Sequence, residues 1–221
     1  MKIITWNLER LKKLKPEQAK EILLGYDADI YILTETHEKL NLGEGYHTVS
    51  SKALYPDHDG MTDYKNGECR TQIFSQYKIL EQKLTFDAYH TLHLVLDTPN
   101  GKLTVYGGII GIDGGTTKNF KRDLDGVLAD WSALDKEENI CLAGDFNTIL
   151  QGHRWPSIDA VEKLTADFKK LKLTNLTLGI PLSVDHIVLS NSLLLKKKIK
   201  LETWNAEKNL SDHIGICAEV V

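Results

Sequence analysis

The segment LAGDFNT, residues 142–148, sets an aspartate and an asparagine at the end of an apolar run. Ile140, Cys141, Leu142 and Ala143 form a run too short for a helix and typical of a strand covered on both faces. With a period of two, Asp145 and Asn147 point to the same side as that strand ends. Burying an unpaired carboxylate is costly, so both belong at the rim of a sheet, where α/β proteins place their ligands. An Asx turn would explain the same triplet. Only partners from elsewhere in the chain decide between the two.

Outward from this segment, strand-like runs recur at 2–7, 29–34, 71–75, 79–86, 91–97, 102–109, 184–190, 199–204 and 213–220, with 139–144 in their midst. Helical periodicity covers 16–25, 119–134 and 158–171. In the last, Ile158, Val161, Leu164, Phe168 and Leu171 share a face, and Pro156-Ser157 gives a start signal. DTPNGKLTVYG reads as a hairpin around Asn100-Gly101. The pattern suggests two sheets packed face to face with helices outside, in one domain spanning 1–221. The polar stretch 55–70 reads as a long loop, functional or mobile. GIDGGTTKNF at 111–120 enters a helix through two glycines and two threonines, as a turn with an N-cap or as a phosphate cradle.

Composition narrows the function classes. The chain has 221 residues, 42% apolar and 26% charged, with a formal charge of −4, so no whole-protein positive field advertises nucleic acid. A local basic patch would still suffice. Cys69, Cys141 and Cys217 are too far apart for a zinc pattern and suit core packing. No charged n-region leads into an apolar segment, and no run of about 18 apolar residues exists. The expectation is a cytoplasmic, reducing setting with no membrane contact and a monomeric chain.

The same rim logic applies to other strand ends. IITWNL places Asn7 at the end of a strand, DADIYILTETHE delivers Glu35, LSVDHIVLS sets Asp185 within an apolar strand, and NLSDHIGICAEV puts Asp212 and His213 before the final one. If these converge with Asp145 and Asn147, the inventory is carboxylates, carboxamides and one imidazole. Hard oxygen ligands suit Mg²⁺ or Mn²⁺ better than zinc. A hard cation beside an Asp–His pair is a device for splitting a phosphoester.

The ordered set TWNL, ILTETHE, LAGDFNT, SVDHIVLS and LSDHIGI resembles the endonuclease/exonuclease/phosphatase superfamily, also called deoxyribonuclease I-like, over residues 3–220. The resemblance implies a four-layer α/β sandwich, with two central mixed sheets flanked by helices and the site at one end. It implies Glu35 as principal metal ligand, with Asn7 beside it and Asp212 completing the acidic cluster. Asp145 would orient or deprotonate the attacking water, and Asn147 would hold the nucleophile or phosphate. His213 would contact the phosphate, with Asp185 hydrogen-bonded behind it.

The sequence also departs from the family. Many relatives carry a further histidine after the strand that here reads LTVYGGIIGIDGG; Tyr106 or Asp113 would have to fill that gap. His186 should point away from Asp185 and play a structural part. Arg154 and Trp155 in GHRWPSI follow Asp145 closely, as a phosphate clamp and a stacking ring or as ordinary surface and packing residues. The KKKIK run at 196–200 suits a solvated hairpin edge. The leading expectation is a Mg²⁺- or Mn²⁺-dependent phosphodiesterase cutting DNA or RNA. A hydrolase of a small phosphoester, such as a nucleotide or inositol phosphate, is the alternative. A non-catalytic binding module of the same fold is the third reading.

Overall fold

The computed structural model describes residues 1–58, 60, 62–111, 117–134, 139–152 and 155–221. Among the described residues, twelve strands form two six-stranded mixed sheets. The first contains β1 (Lys2–Asn7), β2 (Ile30–His37), β3 (His47–Ser50), β4 (Glu68–Ser75), β11 (Ile199–Trp204) and β12 (Gly215–Val220), in the order β11-β12-β1-β2-β4-β3. The second contains β5 (Lys78–Lys83), β6 (Thr91–Thr98), β7 (Gly101–Ile109), β8 (Ile140–Asp145), β9 (Leu173–Asn175) and β10 (Asp185–Ser190), in the order β5-β6-β7-β8-β10-β9.

Each sheet has one parallel pair at its centre, β1–β2 and β7–β8, and is otherwise antiparallel. Parallel neighbours need a crossover. The helices α1 (Pro16–Gly25) and α2 (Lys118–Ser132) lie within those two connections. Helix α3 (Ile158–Lys170) follows β8, and the short α4 (Asn191–Leu194) follows β10.

Side-chain alternation sorts the layers. Ile3, Ile30, Ile32, Leu94, Val105, Cys141, Ala143, Ile187 and Ile216 fill the space between the sheets. Their strand neighbours Ile4, Trp6, Tyr31 and Leu33 pack outward with Leu23 of α1. Leu142 and Val188 pack outward with Leu124, Trp131, Leu164 and Phe168 of α2 and α3. This is the four-layer arrangement expected from the sequence. Continuing the inner rows to the strand ends, Asn7 follows Ile3, Asp145 follows Ala143 and Asp185 precedes Ile187. The site therefore opens where the layer between the sheets ends.

Ten of the twelve strands coincide with the runs read from sequence, and three of the four helices lie where periodicity set them. The hairpin at Asn100-Gly101 forms: Thr98 opposes Gly101, whose φ is +93°. Ser157 caps α3 by accepting the Ala160 N–H. Two expectations are corrected. Ile158 is 57% exposed rather than part of the apolar face, which begins at Ala160 and Val161. The loop expected over 55–70 gives up its last three residues to β4, where the buried Glu68 and Arg70 pair with Arg10 and Glu35. The three cysteines are free and buried, and burial pushes the Cys141 thiol up to about 12.

Candidate active site

The β8–β10 register sets Asp145 directly opposite Asp185, and both carboxylates are buried. Asp145 is held on both oxygens: Asn7 Nδ2 donates to Oδ2 at 3.0 Å and the Asn147 backbone N–H donates to Oδ1 at 2.9 Å. Asp185 Oδ2 accepts from His213 Nδ1 at 2.7 Å. The other imidazole nitrogen, Nε2, then lies 4.0 Å from Asp145 Oδ2 and 3.8 Å from Asp212 Oδ1.

His213 precedes β12, so its position depends on the loop that carries it. Asn205 Nδ2 and Trp6 Nε1 donate to the His213 carbonyl at 2.7 and 3.2 Å. Ser211 Oγ accepts the His213 N–H at 3.1 Å and donates to the Asn7 carbonyl at 2.6 Å. The loop is thereby tied to the end of β1. Glu9 Oε2 accepts the Asp212 N–H at 3.0 Å.

The charges set one another. Burial raises the Asp145 pKa, and the neighbouring Asp185 charge adds to it, against the opposing pull of His213, Asn147 and Asn7. Burial would lower His213. The Asp185 charge and hydrogen bond, with Asp145 and Asp212, overcome it and push the imidazole up to about 10. His213 is therefore an imidazolium at neutral pH, with Nδ1–H committed to Asp185 and Nε2–H directed at the site.

Glu35 stands at the end of the neighbouring parallel strand. Its φ of +46° breaks the alternation of β2, a conformation that costs a non-glycine residue roughly 1 kcal/mol or more and persists where surroundings enforce it. Arg70 Nη1 donates to Glu35 Oε1 at 3.3 Å. Burial raises the Glu35 pKa, opposed by Arg70 and His213 and reinforced by Asp212, so Glu35 belongs to the same electrostatic cluster. Behind it, Arg70 Nη2 donates to the Tyr64 hydroxyl. The Tyr64 ring lies 4.8 Å from both the Arg70 and the Arg10 guanidinium carbons. Arg10 Nε in turn donates to Glu68 at 2.8 Å.

A divalent cation would find hard donors here. Asp185 Oδ1 is buried without a hydrogen-bond partner. Ligand atoms of Asp145, Asp185 and His213 lie within 4.8 Å of one another. A protonated His213 is a poor ligand, which leaves carboxylate and amide oxygens as the set, a chemistry suited to Mg²⁺ or Mn²⁺.

Asn7, Asp145, Asp185, Asp212 and His213 are thus brought into one network, with Glu35 beside it. Asn147 joins through its backbone, in the Asx turn that competed with the site reading; the two coexist. Its φ is +45°, and its side chain donates to the Gly111 carbonyl at 2.6 Å. Trp155 is half-buried, its carbonyl accepting from Ile149 at 2.7 Å. Arg154 and Asp113 lie outside the described residues, as do residues 112–116 of the 111–120 segment. Tyr106 does not fill the gap left by the absent histidine: its hydroxyl donates to Asp130 of α2 at 2.7 Å, on the outer face. His186 is structural as expected, with Nε2 donating to the Thr148 carbonyl at 2.8 Å. Arg10, Tyr64, Glu68 and Arg70 escaped sequence reading, although ECRTQIF carried a signal in its charges spaced by two within a strand.

A family model for the endonuclease/exonuclease/phosphatase family matches residues 4–213. The chain belongs to the endonuclease/exonuclease/phosphatase family. Membership supports a hydrolase acting on phosphoester bonds. Comparison with curated proteins finds no match. Among solved structures, a family member from Beutenbergia cavernae is 14% identical with a TM-score of 0.75, aligned over 100% of this chain and 71% of that one. An AP endonuclease from Archaeoglobus fulgidus is 15% identical with a TM-score of 0.71, over 100% and 99%. A 3′ phosphatase, NExo from Neisseria, bound to a product DNA hairpin, is 17% identical with a TM-score of 0.72, over 100% and 99%. These likenesses show the fold. No helix among the described residues is long and apolar enough to cross a membrane.

Proposed function

We propose that this protein is a metal-dependent phosphodiester hydrolase acting on nucleic acid. The observation that carries the reading is the Asp145–His213–Asp185 arrangement, which pairs a buried carboxylate of raised pKa with an imidazolium. Asp145 takes the proton from the attacking water, since burial and Asp185 make it a stronger base than an exposed aspartate. Asn7 and the Asn147 backbone fix its direction, and the Asn147 amide contributes to holding the nucleophile or phosphate. His213 donates from Nε2–H to a phosphoryl oxygen as charge builds there. Asp185 keeps that ring oriented and charged.

Glu35, Asn7 and Asp212 are the residues assigned to a Mg²⁺ or Mn²⁺ ion, which when bound neutralises phosphate charge and supports the leaving oxygen. Arg154 and Trp155 follow β8 closely enough to serve as phosphate and base contacts. Nucleic acid as substrate draws support from the DNA-directed enzymes among the structural neighbours.

The test is turnover of duplex, single-stranded and abasic DNA and of RNA, beside cyclic dinucleotides and inositol phosphates. Chelation with EDTA should abolish activity, and Mg²⁺ or Mn²⁺ should restore it. His213→Ala should lower kcat by about 10³-fold or more while leaving the circular dichroism spectrum unchanged. Activity that survives exhaustive chelation would overturn the metal assignment. Cleavage confined to the small phosphoesters would move the substrate to that class.

A further inference from the structure

Beside Glu35 runs a row of aromatic side chains that the proposed chemistry does not use. From Arg70 the row passes to Tyr64, then to His58, whose ring centroid is 6.4 Å from that of Tyr64. His58 in turn lies 4.6 Å from Tyr55 and 4.5 Å from Tyr89. Tyr55 meets His58 and Tyr89 edge to face, at 81° and 78°, and keeps 53% of its surface open. Lys52 Nζ stands 5.4 Å from the Tyr89 ring centre.

Strand pairing fixes how far this row is from the reaction. Ile109 lies opposite Asp145, and the Ile109 N–H donates to the His90 carbonyl. Tyr89-His90 is thus two strand spacings from Asp145, about 10 Å. The His90 ring, 2% exposed and 6.2 Å from His58, has both nitrogens buried without a hydrogen bond, with Asp87 Oδ2 3.3 Å from Nδ1. His90 thus backs the cluster from within, and Tyr55, the exposed ring at its outer end, is the face open to a planar partner.

We propose that Tyr55, His58 and Tyr89 form a stacking platform for a nucleobase of the substrate, flanking the position of the scissile phosphate. The inference deepens the nuclease reading and rests on it for the identity of the ligand. Every base offers a π face, and stacking on an aromatic side chain is insensitive to sequence. It is also insensitive to salt, which suits a chain whose net charge of −4 gives no general attraction for a polyanion. Lys52 supplies a single cation for an adjoining phosphate.

The experiment uses the full chain in EDTA, so that nothing is cleaved, at about 0.2 M salt, where phosphate contacts are weakened. The probes are a single strand carrying 2-aminopurine and 2-aminopurine nucleoside monophosphate, read by fluorescence quenching. Wild type and Tyr55→Phe should quench the strand with equal affinity. Tyr55→Leu, at an exposed position that leaves the fold intact, should bind about tenfold more weakly. An otherwise identical strand with abasic spacers should compete at least that much less well than the base-bearing one. Equal binding by wild type and Tyr55→Leu, or equal competition by the abasic strand, would overturn the platform. Mononucleotide binding as tight as that of the strand would support the platform and assign it to free nucleotides. Tyr55-dependent quenching without cleavage of any polynucleotide under Mn²⁺ would keep the platform and remove the nuclease reading. Cleavage with Tyr55-independent binding would do the reverse.

Discussion

At His213 a single side chain shows how much of the reading depends on its neighbours. An imidazole buried alone would lose its proton, yet two carboxylates and Asp212 hold it charged. In the metal-free protein, its ring resonances should titrate near 10 by NMR, and Asp185→Asn should bring that value down towards 6.5. A wild-type titration below about 7 would dismiss the imidazolium. Because the folded value lies above the unfolded one, this group's stabilisation is complete below about 6.5 and is lost as pH rises through about 10. The urea-midpoint difference between wild type and Asp185→Asn should shrink over that window. Asp145, Asp185 and His213 were legible in sequence because each interrupts or ends a run that had to be buried. Arg70 was not, since its partner Glu35 lies 35 residues away and nothing local marks the pairing.

Elements set the precision of the site, and β10 carries much of that task. Asp185 faces inward while the next residue, His186, faces α2 and α3. There Thr177 and Asn175 meet Nδ1 at 2.9 and 3.1 Å, and Nε2–H reaches the Thr148 carbonyl. The carbonyl partner fixes the neutral tautomer, and burial lowers the pKa to match. One ring thus ties the chain after β8 to the chain before β10. His186→Ala should cost about 2–3 kcal/mol in unfolding free energy, through buried groups left unpaired. It should lower kcat far less than His213→Ala does. Unchanged stability on urea titration would contradict this account. The same neighbourhood shows why sequence reading stopped short. β9 spans only Leu173–Asn175 and has no period of its own; pairing with β10 makes it a strand. β3, at His47–Ser50, is largely exposed and owes its form to β4. Long strands buried on both faces announced themselves, whereas short edge strands are products of their neighbours.

For the whole molecule, charge makes the clearest statement. With 27 basic against 31 acidic residues, a nucleic acid has to be met by a local basic surface, and each phosphate neutralised there releases a counterion, so kcat/KM on a short duplex should fall between about 50 and 200 mM salt. A flat profile would move the substrate to a small phosphoester, which touches few charges. Binding of Mn²⁺ to the folded state alone should also raise Tm with metal concentration. Glu35→Gln should blunt that rise. A rise of equal size in the variant would remove Glu35 from the ligand set.

The order of strands carries a consequence in time. The first sheet is begun by β1 to β4, set aside while the entire second sheet is laid down, and completed by β11 and β12, the latter pairing back on β1 across more than 200 residues, Lys2 against Glu219. Contacts of such span form late, after the intervening loop closure has been met. His213 travels with that returning segment. A chain emerging vectorially from the ribosome would therefore carry the carboxylates of β8 and β10 before the acid that completes them, and a phosphoester hydrolase so built stays silent until β12 has been made and has returned to β1.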